Sequence, residues 1–241
     1  MIAQPPRSSA LFLLLFTVIG TPLLLPNVGC GSSESTTEVS VRVTEYITLA
    51  DLENPMPDAE VCETDTENCV LTDADGMATL ALPSGSEASY TITKEGYGSY
   101  LVADVVEGGI EHWFWMFSDA ELTRMAELMG TTYPWDDTGV MLLRVYSDPG
   151  VVFVLVGETA NSFYFENGDT PSTEIDATTF DGRGGFTDLA EGEYQVEYLG
   201  GEVLCQPFTA WPGDADNRIR VPVRAGYISY ASQSCGATGP L

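Results

Sequence analysis

The feature that most constrains the fold is a succession of short segments in which apolar and polar residues alternate. The first of these segments covers residues 39–44 and reads Val-Ser-Val-Arg-Val-Thr, a period of two that predicts a half-buried strand. Comparable runs, rich in β-branched and aromatic residues, follow at 59–62, 79–82, 90–93, 100–102, 140–145, 151–156, 162–165, 185–187, 194–198, 203–207, 218–223 and 226–230. Turn-forming residues separate the runs, so the sequence predicts an all-β chain of antiparallel sandwiches rather than alternating strands and helices.

One of these runs lacks the alternation. Residues 151–156 read Val-Val-Phe-Val-Leu-Val and are apolar throughout. A strand that is apolar on both sides is typical of one covered on both faces. We therefore expect this segment to be a central strand.

A single segment has the helical period. Its apolar residues fall at i, i+3, i+4 and i+7, on one face of a helix, and are Leu122, Met125, Ala126 and Met129. Ser118 and Glu121 have the spacing of a capping box, and Gly130 stands where a helix commonly ends. The sequence predicts a short helix that connects two β-rich halves and packs on one of them.

The two β-rich halves carry the same local pattern. Residues 72–85 read TDADGMATLALPSG with Tyr90 beyond them, and residues 178–192 read TTFDGRGGFTDLAEG with Tyr194 beyond them. Each copy has a turn rich in Asp and Gly, an alternating strand, a tight turn closed by glycine and a second strand. The pattern predicts one hairpin in each half.

These repeats, with Lys-Glu-Gly-Tyr at residues 94–97 after the first copy, resemble the carboxypeptidase regulatory-like domain, a transthyretin-like sandwich of the Ig-like kind. The resemblance implies two such domains, at 39–106 and 139–231. An aromatic segment and the connector helix would occupy 107–138, and a tail would occupy 232–241. Because members of that family accompany enzymes, transporters and adhesins alike, the resemblance implies a fold and no particular activity.

The first 29 residues have the features of a signal peptide. They contain one basic residue, Arg7, no acidic residue, and an apolar run that starts at Ala10 and ends near Gly20 and Pro22. A membrane-spanning helix needs about 20 continuous apolar residues, which is more than this run offers. A cleaved export signal is the better interpretation.

The end of the signal resembles a bacterial lipobox. Small residues precede Cys30, polar residues follow it, and Asn27 replaces the usual leucine. The resemblance implies a lipoprotein with an acylated Cys30, a flexible tether over 30–38, and an extracytoplasmic position at the cell envelope. Gly31 favours the outer membrane by the same resemblance. Two or more acyl chains would anchor the chain stably, since each buried methylene contributes about 0.8 kcal/mol. Ordinary cleavage that leaves a free or paired Cys30 thiol is the alternative.

The remaining cysteines are even in number, which is typical of disulfides in an exported protein. They are Cys62, Cys69, Cys205 and Cys235. Three connectivities are possible, and pairing 62 with 69 and 205 with 235 is the most economical if each half is its own domain. A four-thiolate zinc site is the alternative, although the spacings lack the usual C-x-x-C pairs.

Charge and residue inventory argue against two classes of function. The chain has a net charge of −27, from 36 acidic and nine basic residues, so nucleic acid is excluded as a natural partner. One histidine and one lysine supply no zinc-peptidase or hydrolase constellation. We therefore expect a non-catalytic envelope lipoprotein without a cofactor, acting as a structural or protein-interaction module with an envelope partner.

A ligand-binding lipoprotein for carbohydrate is the alternative function. In the aromatic stretch at 112–117, a period of two puts Trp113, Trp115 and Phe117 on one face, and a row of indoles can stack on sugar rings. The same row would also suit a strand that packs on the connector helix. Trp135 and Trp211 lie in proline-containing loops and are further candidates for exposed aromatic contacts with a glycan.

Calcium is the other ligand considered. Asp73 and Asp75 supply oxygen ligands of the kind that calcium prefers, within one turn. The same two residues also suit an Asx turn, in which a carboxylate accepts hydrogen bonds from its own backbone.

Overall fold

The computed structural model describes residues 35–47, 54–109, 111–146, 149–166, 168, 170–200 and 205–235. These residues belong to one compact unit. The predicted signal peptide and Cys30 lie outside the described residues. Within the described part of the chain, no helix is long and apolar enough to cross a membrane.

Strands dominate the described residues, with a single helix, α1 (Asp119–Leu128), between the eighth and ninth of them. The strands are β1 (Thr36–Glu45), β2 (Asn54–Pro55), β3 (Glu60–Glu63), β4 (Cys69–Leu71), β5 (Met77–Pro83), β6 (Glu87–Thr93), β7 (Ser99–Val105), β8 (Glu111–Met116), β9 (Gly139–Tyr146), β10 (Val152–Leu155), β11 (Asn161–Phe165), β12 (Pro171–Ser172), β13 (Arg183–Leu189), β14 (Gly192–Leu199), β15 (Cys205–Thr209), β16 (Trp211–Pro212), β17 (Arg218–Val223) and β18 (Tyr227–Cys235). The prediction of an all-β chain with one short helix is confirmed.

The helix has the predicted ends. Ser118 is its N-cap and its side chain accepts a hydrogen bond from the backbone N–H of Glu121. Gly130 follows the C-cap with a φ of +74°, a conformation that glycine adopts at little cost. Its apolar face is buried through Leu122 and Met125.

The strands form three sheets. A ten-stranded central sheet has the order β12-β11-β13-β9-β18-β7-β6-β3-β4, with β15 paired to the far end of β18. An upper sheet contains β2, β1, β5 and β8, and a lower sheet has the order β10-β14-β17-β16.

Two apolar cores lie on opposite faces of the central sheet. On β9, Val140 and Leu142 belong to the first core, whereas Met141 and Leu143 belong to the second, because successive residues of a strand point to opposite faces. The upper sheet and α1 cover the first core, and the lower sheet covers the second. The described unit is therefore a three-layered β-sandwich, and β9 is buried on both sides.

Backbone contacts confirm that the halves repeat one another. The N–H of Val43 in β1 donates to the carbonyl of Gly76 at 2.8 Å, and the N–H of Val145 in β9 donates to the carbonyl of Gly182 at 2.8 Å. Both glycines have positive φ, near +70°, and a Cβ on either would clash with the carbonyl of the same valine. The turn that opens each repeat is therefore built in the same way.

A threonine begins each copy and makes the same two hydrogen bonds. Thr72 Oγ1 accepts the N–H of Ala59 at 2.9 Å, while the Thr72 N–H donates to the Ala59 carbonyl. Thr178 exchanges the equivalent pair with Val151, at 3.0 Å and 2.9 Å. The sequence repeat is thus a repeat of local structure.

The predicted hairpins are wrong. β5 pairs with β1 in the upper sheet, whereas β6 lies in the central sheet beside β7 and β3. β13 and β14 are likewise in different sheets. Each glycine turn crosses from one layer to the next, so that both of its strands face a common core and do not pair.

The prediction of purely antiparallel sheets is also corrected. β1 pairs with β8 in parallel, and β18 pairs in parallel with both β9 and β7. Because β18 joins strands from both halves in one sheet, the division into two separate domains linked by a helix is not confirmed. The helix packs into the first core, which contains residues of both halves.

The expected central strand is an edge strand. Within the described residues, β10 pairs only with β14, and Val154 is 36% exposed. The apolar run reflects one face turned to the second core and one turned outward. At the open edge, the N–H of Phe153 donates to the hydroxyl of Tyr164 at 2.9 Å.

Two predicted boundaries also move. β1 begins at Thr36, inside the predicted tether, and pairs with β5 from that residue. β18 continues to Cys235, inside the predicted tail, because its far end pairs with β15.

Both economical disulfides are formed. Cys62 bonds to Cys69 across β3 and β4, and Cys205 bonds to Cys235 across β15 and β18. The cysteines of each pair face one another in the strand register. This pairing leaves no thiolates at these positions for the alternative zinc site.

Candidate ligand-binding site

The aromatic segment forms β8, at one edge of the upper sheet. His112, Phe114 and Met116 are buried, whereas Trp113 is 39% exposed and Trp115 is half-buried. The predicted separation into two faces is therefore confirmed for residues 112–116, whereas Phe117, expected on the tryptophan face, is buried in the first core.

On the outward side, five side chains form a continuous row that we call the aromatic–arginine ladder. The Arg42 guanidinium lies 4.8 Å from the ring centre of Trp113, and the rings of Trp113 and Trp115 are 6.1 Å apart. The Arg144 guanidinium lies 4.8 Å from the ring centre of Trp115 and 4.6 Å from that of Tyr146. The order along the surface is thus arginine, two tryptophans, arginine and tyrosine, and each arginine contacts at least one ring in an arrangement that attracts electrostatically.

The repeat explains where the two arginines stand. Counted from the equivalent valines Val43 and Val145, Arg42 and Arg144 occupy the same position in the two halves. Each lies on the face of its strand opposite the valine, and Arg42 is directly opposite Trp113 in the strand register. One strand, β8, therefore contacts the equivalent arginine of both halves.

The two arginines of the ladder differ from the other described arginines in having no carboxylate partner. Among the residues that the structure describes, Arg42 and Arg144 make no ion pair, and the Nε atoms of both are buried without a hydrogen-bond partner. The remaining described arginines all pair with carboxylates; they are Arg124, Arg183, Arg218, Arg220 and Arg224. The ladder therefore contains the two described arginines that have no carboxylate partner.

A second arginine stands beside Arg144. Arg183 is its partner in the strand register and is buried, with its guanidinium paired to Asp181. Trp113, Trp115 and Arg183 help to line a cavity of about 10 Å³ under the ladder, enough for about one water molecule. A ligand of the ladder would therefore bind on its outer surface.

The single histidine is turned away from solvent. His112 Nε2 is 2.9 Å from a carboxylate oxygen of Asp104, and both side chains are buried. The ring also contacts Phe208, with ring centres 5.5 Å apart. His112 therefore has a structural position inside the fold.

The loop tryptophans are not the exposed candidates that the sequence predicted. Trp135 is only 3% exposed, because its ring packs into the first core and against Tyr133. Trp211 is half-buried, and its indole N–H donates to the carbonyl of Ala88 at 2.9 Å. Arg220 covers its ring from 5.5 Å.

The predicted calcium ligands form an Asx turn. Asp73 Oδ1 accepts the backbone N–H groups of Asp75 and Met77, each at 2.9 Å. In the part of the chain that the structure describes, potential metal ligands come together in threes only at Glu60, Cys62 and Cys69. The two cysteines of that group are joined in a disulfide, so it lacks the thiolates that a metal would need.

Two other clefts are open to solvent. One, of about 420 Å³, lies beside Asp214, Asp216 and Arg218, where Asp214 and Arg218 form an ion pair of 3.1 Å. The other, of about 350 Å³, is lined in part by Asn161 and Asp188. Their polar groups bond to one another, and neither cleft gathers a catalytic set.

The two tryptophans of the ladder were predicted from the sequence, whereas Arg42, Arg144 and Tyr146 were not. The available signal was the repeat itself, because each half places an arginine one residue before the valine that contacts the turn glycine. The stacking of both arginines on one strand could not be predicted, since β8 and β9 lie in different sheets and only the packing of the layers brings them into contact.

Comparison with other proteins gives limited similarity. No protein-family model matches the sequence, and no curated protein matches it. The expected membership in the carboxypeptidase regulatory-like family is therefore not confirmed.

Solved structures that match the chain at low identity include three bacterial proteins. The Bacillus anthracis TIE protein is 16% identical, with 83% of this chain and 34% of that chain covered and a TM-score of 0.28, so this chain spans about a third of it. GBS52, the minor pilin of Streptococcus agalactiae, is 15% identical over 85% of this chain and 98% of that one, with a TM-score of 0.23. A shaft pilin SpaA from Lactobacillus rhamnosus GG is 12% identical over 86% of this chain and 100% of that one, with a TM-score of 0.26. TM-scores this low show neither a shared activity nor a shared partner.

Proposed function

We propose that this chain is a non-catalytic structural and protein-interaction module of the cell envelope. The observation that carries the proposal is the shared central sheet, in which β18 pairs with β9 on one edge and with β7 on the other. Movement of one half against the other would break these backbone hydrogen bonds. Such a unit is suited to hold a binding surface in a fixed orientation.

The positions of the scarce basic residues support a role without catalysis. His112 is enclosed with Asp104, and the amine of Lys94 donates to the carbonyl of Pro57. The sequence contains no second histidine or lysine that could assist either of them in proton transfer or nucleophilic attack.

The proposal includes an extracytoplasmic position and a lipid anchor at Cys30 in the outer membrane. Two disulfides support an oxidising compartment, because such bonds persist outside the cytosol. The sequence around Cys30 supports acylation through its resemblance to a lipobox.

The anchor is tested by intact-mass measurement and membrane fractionation of the wild type and a Cys30→Ala variant. We expect the wild type to carry the mass of acyl chains and to sediment with membranes, and the variant to lack both properties. A matched double variant, Cys62→Ala with Cys69→Ala, should keep the acyl mass. A mature protein with an unmodified Cys30 would refute the anchor.

The structural role is tested by the distance between spin labels in the two halves. Labels replacing the exposed residues Glu95 and Glu158 should give one narrow distance distribution, because the shared sheet holds the halves together. A pair within one half, at Glu158 and Glu174, is the control for the width that the labels themselves add. A distribution much broader than that of the control would contradict a stiff module.

The interaction role is tested by capture from native envelopes with the lipidated protein, its Cys30→Ala form and a heat-unfolded sample. A partner retained by both folded forms and lost on unfolding would support the module. Recovery of the same proteins by the unfolded chain would argue against a specific partner.

A further inference from the structure

We propose that the aromatic–arginine ladder binds an acidic glycan, with sugar carboxylates paired to Arg42 and Arg144. The site would give the chain a ligand as well as its structural role, and it depends on neither the anchor nor a protein partner. Three features of the ladder support this assignment: two arginines without carboxylate partners among the described residues, the order of its groups and the exposure of its rings.

The charge of the ladder favours an anionic ligand. Arg42 and Arg144 lack acidic partners among the described residues, although the chain has four times as many acidic as basic residues. Stacking on an indole stabilises each guanidinium from above or below. The Nε atoms are buried, and the terminal Nη groups of each guanidinium remain to donate to the two oxygens of a carboxylate.

The order of the groups in the ladder favours a ligand whose negative charges are separated. The two indoles of Trp113 and Trp115 stand between Arg42 and Arg144, with Tyr146 beyond the second arginine. A ligand that contacts both arginines must therefore carry two anionic groups with an uncharged unit between them. Acidic sugars that alternate with neutral sugars have this arrangement.

The surface around the ladder disfavours a densely charged ligand. A net charge of −27 repels polyanions at long range, so strongly charged polymers approach poorly. An oligosaccharide with a carboxylate on every second ring carries less charge. Its apolar C–H faces can contact Trp113 and Tyr146, both of which are about 40% exposed.

The test measures binding of three probes to the purified protein by calorimetry and tryptophan fluorescence. The probes are a hexasaccharide of alternating glucuronic acid and N-acetylglucosamine, a neutral N-acetylglucosamine hexamer, and a hexaglutamate peptide. We expect the acidic hexasaccharide to bind and to change tryptophan fluorescence, with the other two much weaker.

Variants separate recognition by the ladder from a general effect of charge. Arg42→Gln should weaken binding of the acidic hexasaccharide about ten- to hundredfold, because it removes hydrogen bonds to a charged group. Arg124→Gln removes the same charge from the exposed face of α1 and should change the affinity less than about twofold. Arg42→Lys keeps the charge without the planar stacking and should give an intermediate loss. Thermal melting of each variant shows whether it is folded.

Several outcomes would overturn the proposal. Equal binding of the neutral hexamer would remove the role of the carboxylates, and tighter binding of hexaglutamate would identify a peptide site instead. Wild-type affinity in a folded Arg42→Gln protein would show that the ladder is not the site. Absence of binding by all three probes would overturn the glycan assignment while leaving the structural module intact.

Discussion

β1 and β9 are equivalent strands of the two halves, yet their sequences follow different rules. Residues 39–43 of β1 read Val-Ser-Val-Arg-Val and alternate between buried and partly exposed, whereas residues 141–145 of β9 read Met-Leu-Leu-Arg-Val and are buried except at the arginine. The difference follows from the layers. β1 lies in an outer sheet with one face in a core, while β9 lies in the central sheet with a core on each face.

The same comparison explains the ladder. In both strands the arginine lies on the face opposite the equivalent valine, Val43 or Val145. In both strands it also stacks on a tryptophan of β8. Position in the repeat fixes where each arginine points. The packing of the layers decides that both arginines contact the same strand, β8.

The largest expected effect is on the stability of both cores at alkaline pH. Burial raises the pKa of four tyrosines above its ordinary value; they are Tyr90, Tyr100, Tyr198 and Tyr230. The unfolded chain loses these protons near pH 10 and the folded chain keeps them. Stability is therefore complete below about pH 10 and falls above it, by about 1.4 kcal/mol per tyrosine for each pH unit.

Two matched variants relate this effect to the cores. Tyr90 lies in the first core and Tyr198 in the second, and neither hydroxyl has a hydrogen-bond partner among the described residues. Tyr90→Phe and Tyr198→Phe should each lower the slope of unfolding free energy against pH by a similar amount. Denaturant unfolding between pH 9 and 11 measures the slopes. An unchanged slope in one variant would show that burial does not raise the pKa of that tyrosine.

The next effect tests the layers directly. Leu142 of β9 and Ser40 of β1 are equivalent positions, and only Leu142 is covered by a core. Leu142→Ala should cost about 2–5 kcal/mol of unfolding free energy through lost burial and a cavity, whereas Ser40→Ala should change it by less than about 0.5 kcal/mol. Chemical denaturation followed by circular dichroism measures both. A loss at Leu142 as small as that at Ser40 would contradict a central position for β9.

A smaller effect distinguishes the two disulfides. The Cys62–Cys69 bond closes a separation of 7 residues and the Cys205–Cys235 bond one of 30. Replacing each pair by serine should lower the free energy of unfolding by about 2–4 kcal/mol. The loss should be roughly 1 kcal/mol larger for Cys205–Cys235, because a disulfide that closes a longer loop constrains the unfolded chain more strongly. Thermal unfolding of the two double variants compares them. A larger loss for the short loop would indicate that native contacts outweigh the unfolded-state effect.

The smallest effect should be nearly equal in the two halves. Thr72→Val and Thr178→Val keep the shape of the side chain but remove the oxygen that accepts the N–H of Ala59 or Val151. Leaving that buried N–H without its partner should cost about 1–3 kcal/mol, with somewhat more at Thr72, which also donates to Met56. Equilibrium unfolding in urea is the measurement. A large effect at only one threonine would show that this hydrogen bond does not contribute equally to stability in the two copies of the repeat.

Much of the local structure could be predicted from the sequence. The period of two located β1 and separated the faces of β8, and the capping residues Ser118 and Gly130 located the ends of α1. These features depend on neighbours within a few residues, which is the range that a sequence pattern reports.

The candidate site was predicted only in part. The aromatic run indicated Trp113 and Trp115, but Trp135 is buried and the arginines of the ladder were not expected. Exposure of an aromatic loop residue depends on what packs over it, and the first core covers Trp135.

The sequence by itself predicted most of the strands, the helix and the repeated turns, and it favoured the observed cysteine pairing over two other connectivities. Only the tertiary structure decided that β5 and β6 lie in different sheets, that β10 is an edge, and that β18 joins both halves. The physical reason is that an alternating pattern specifies which side of a strand is apolar. It does not specify which distant strand will cover that side, and that choice depends on the packing of all three layers together.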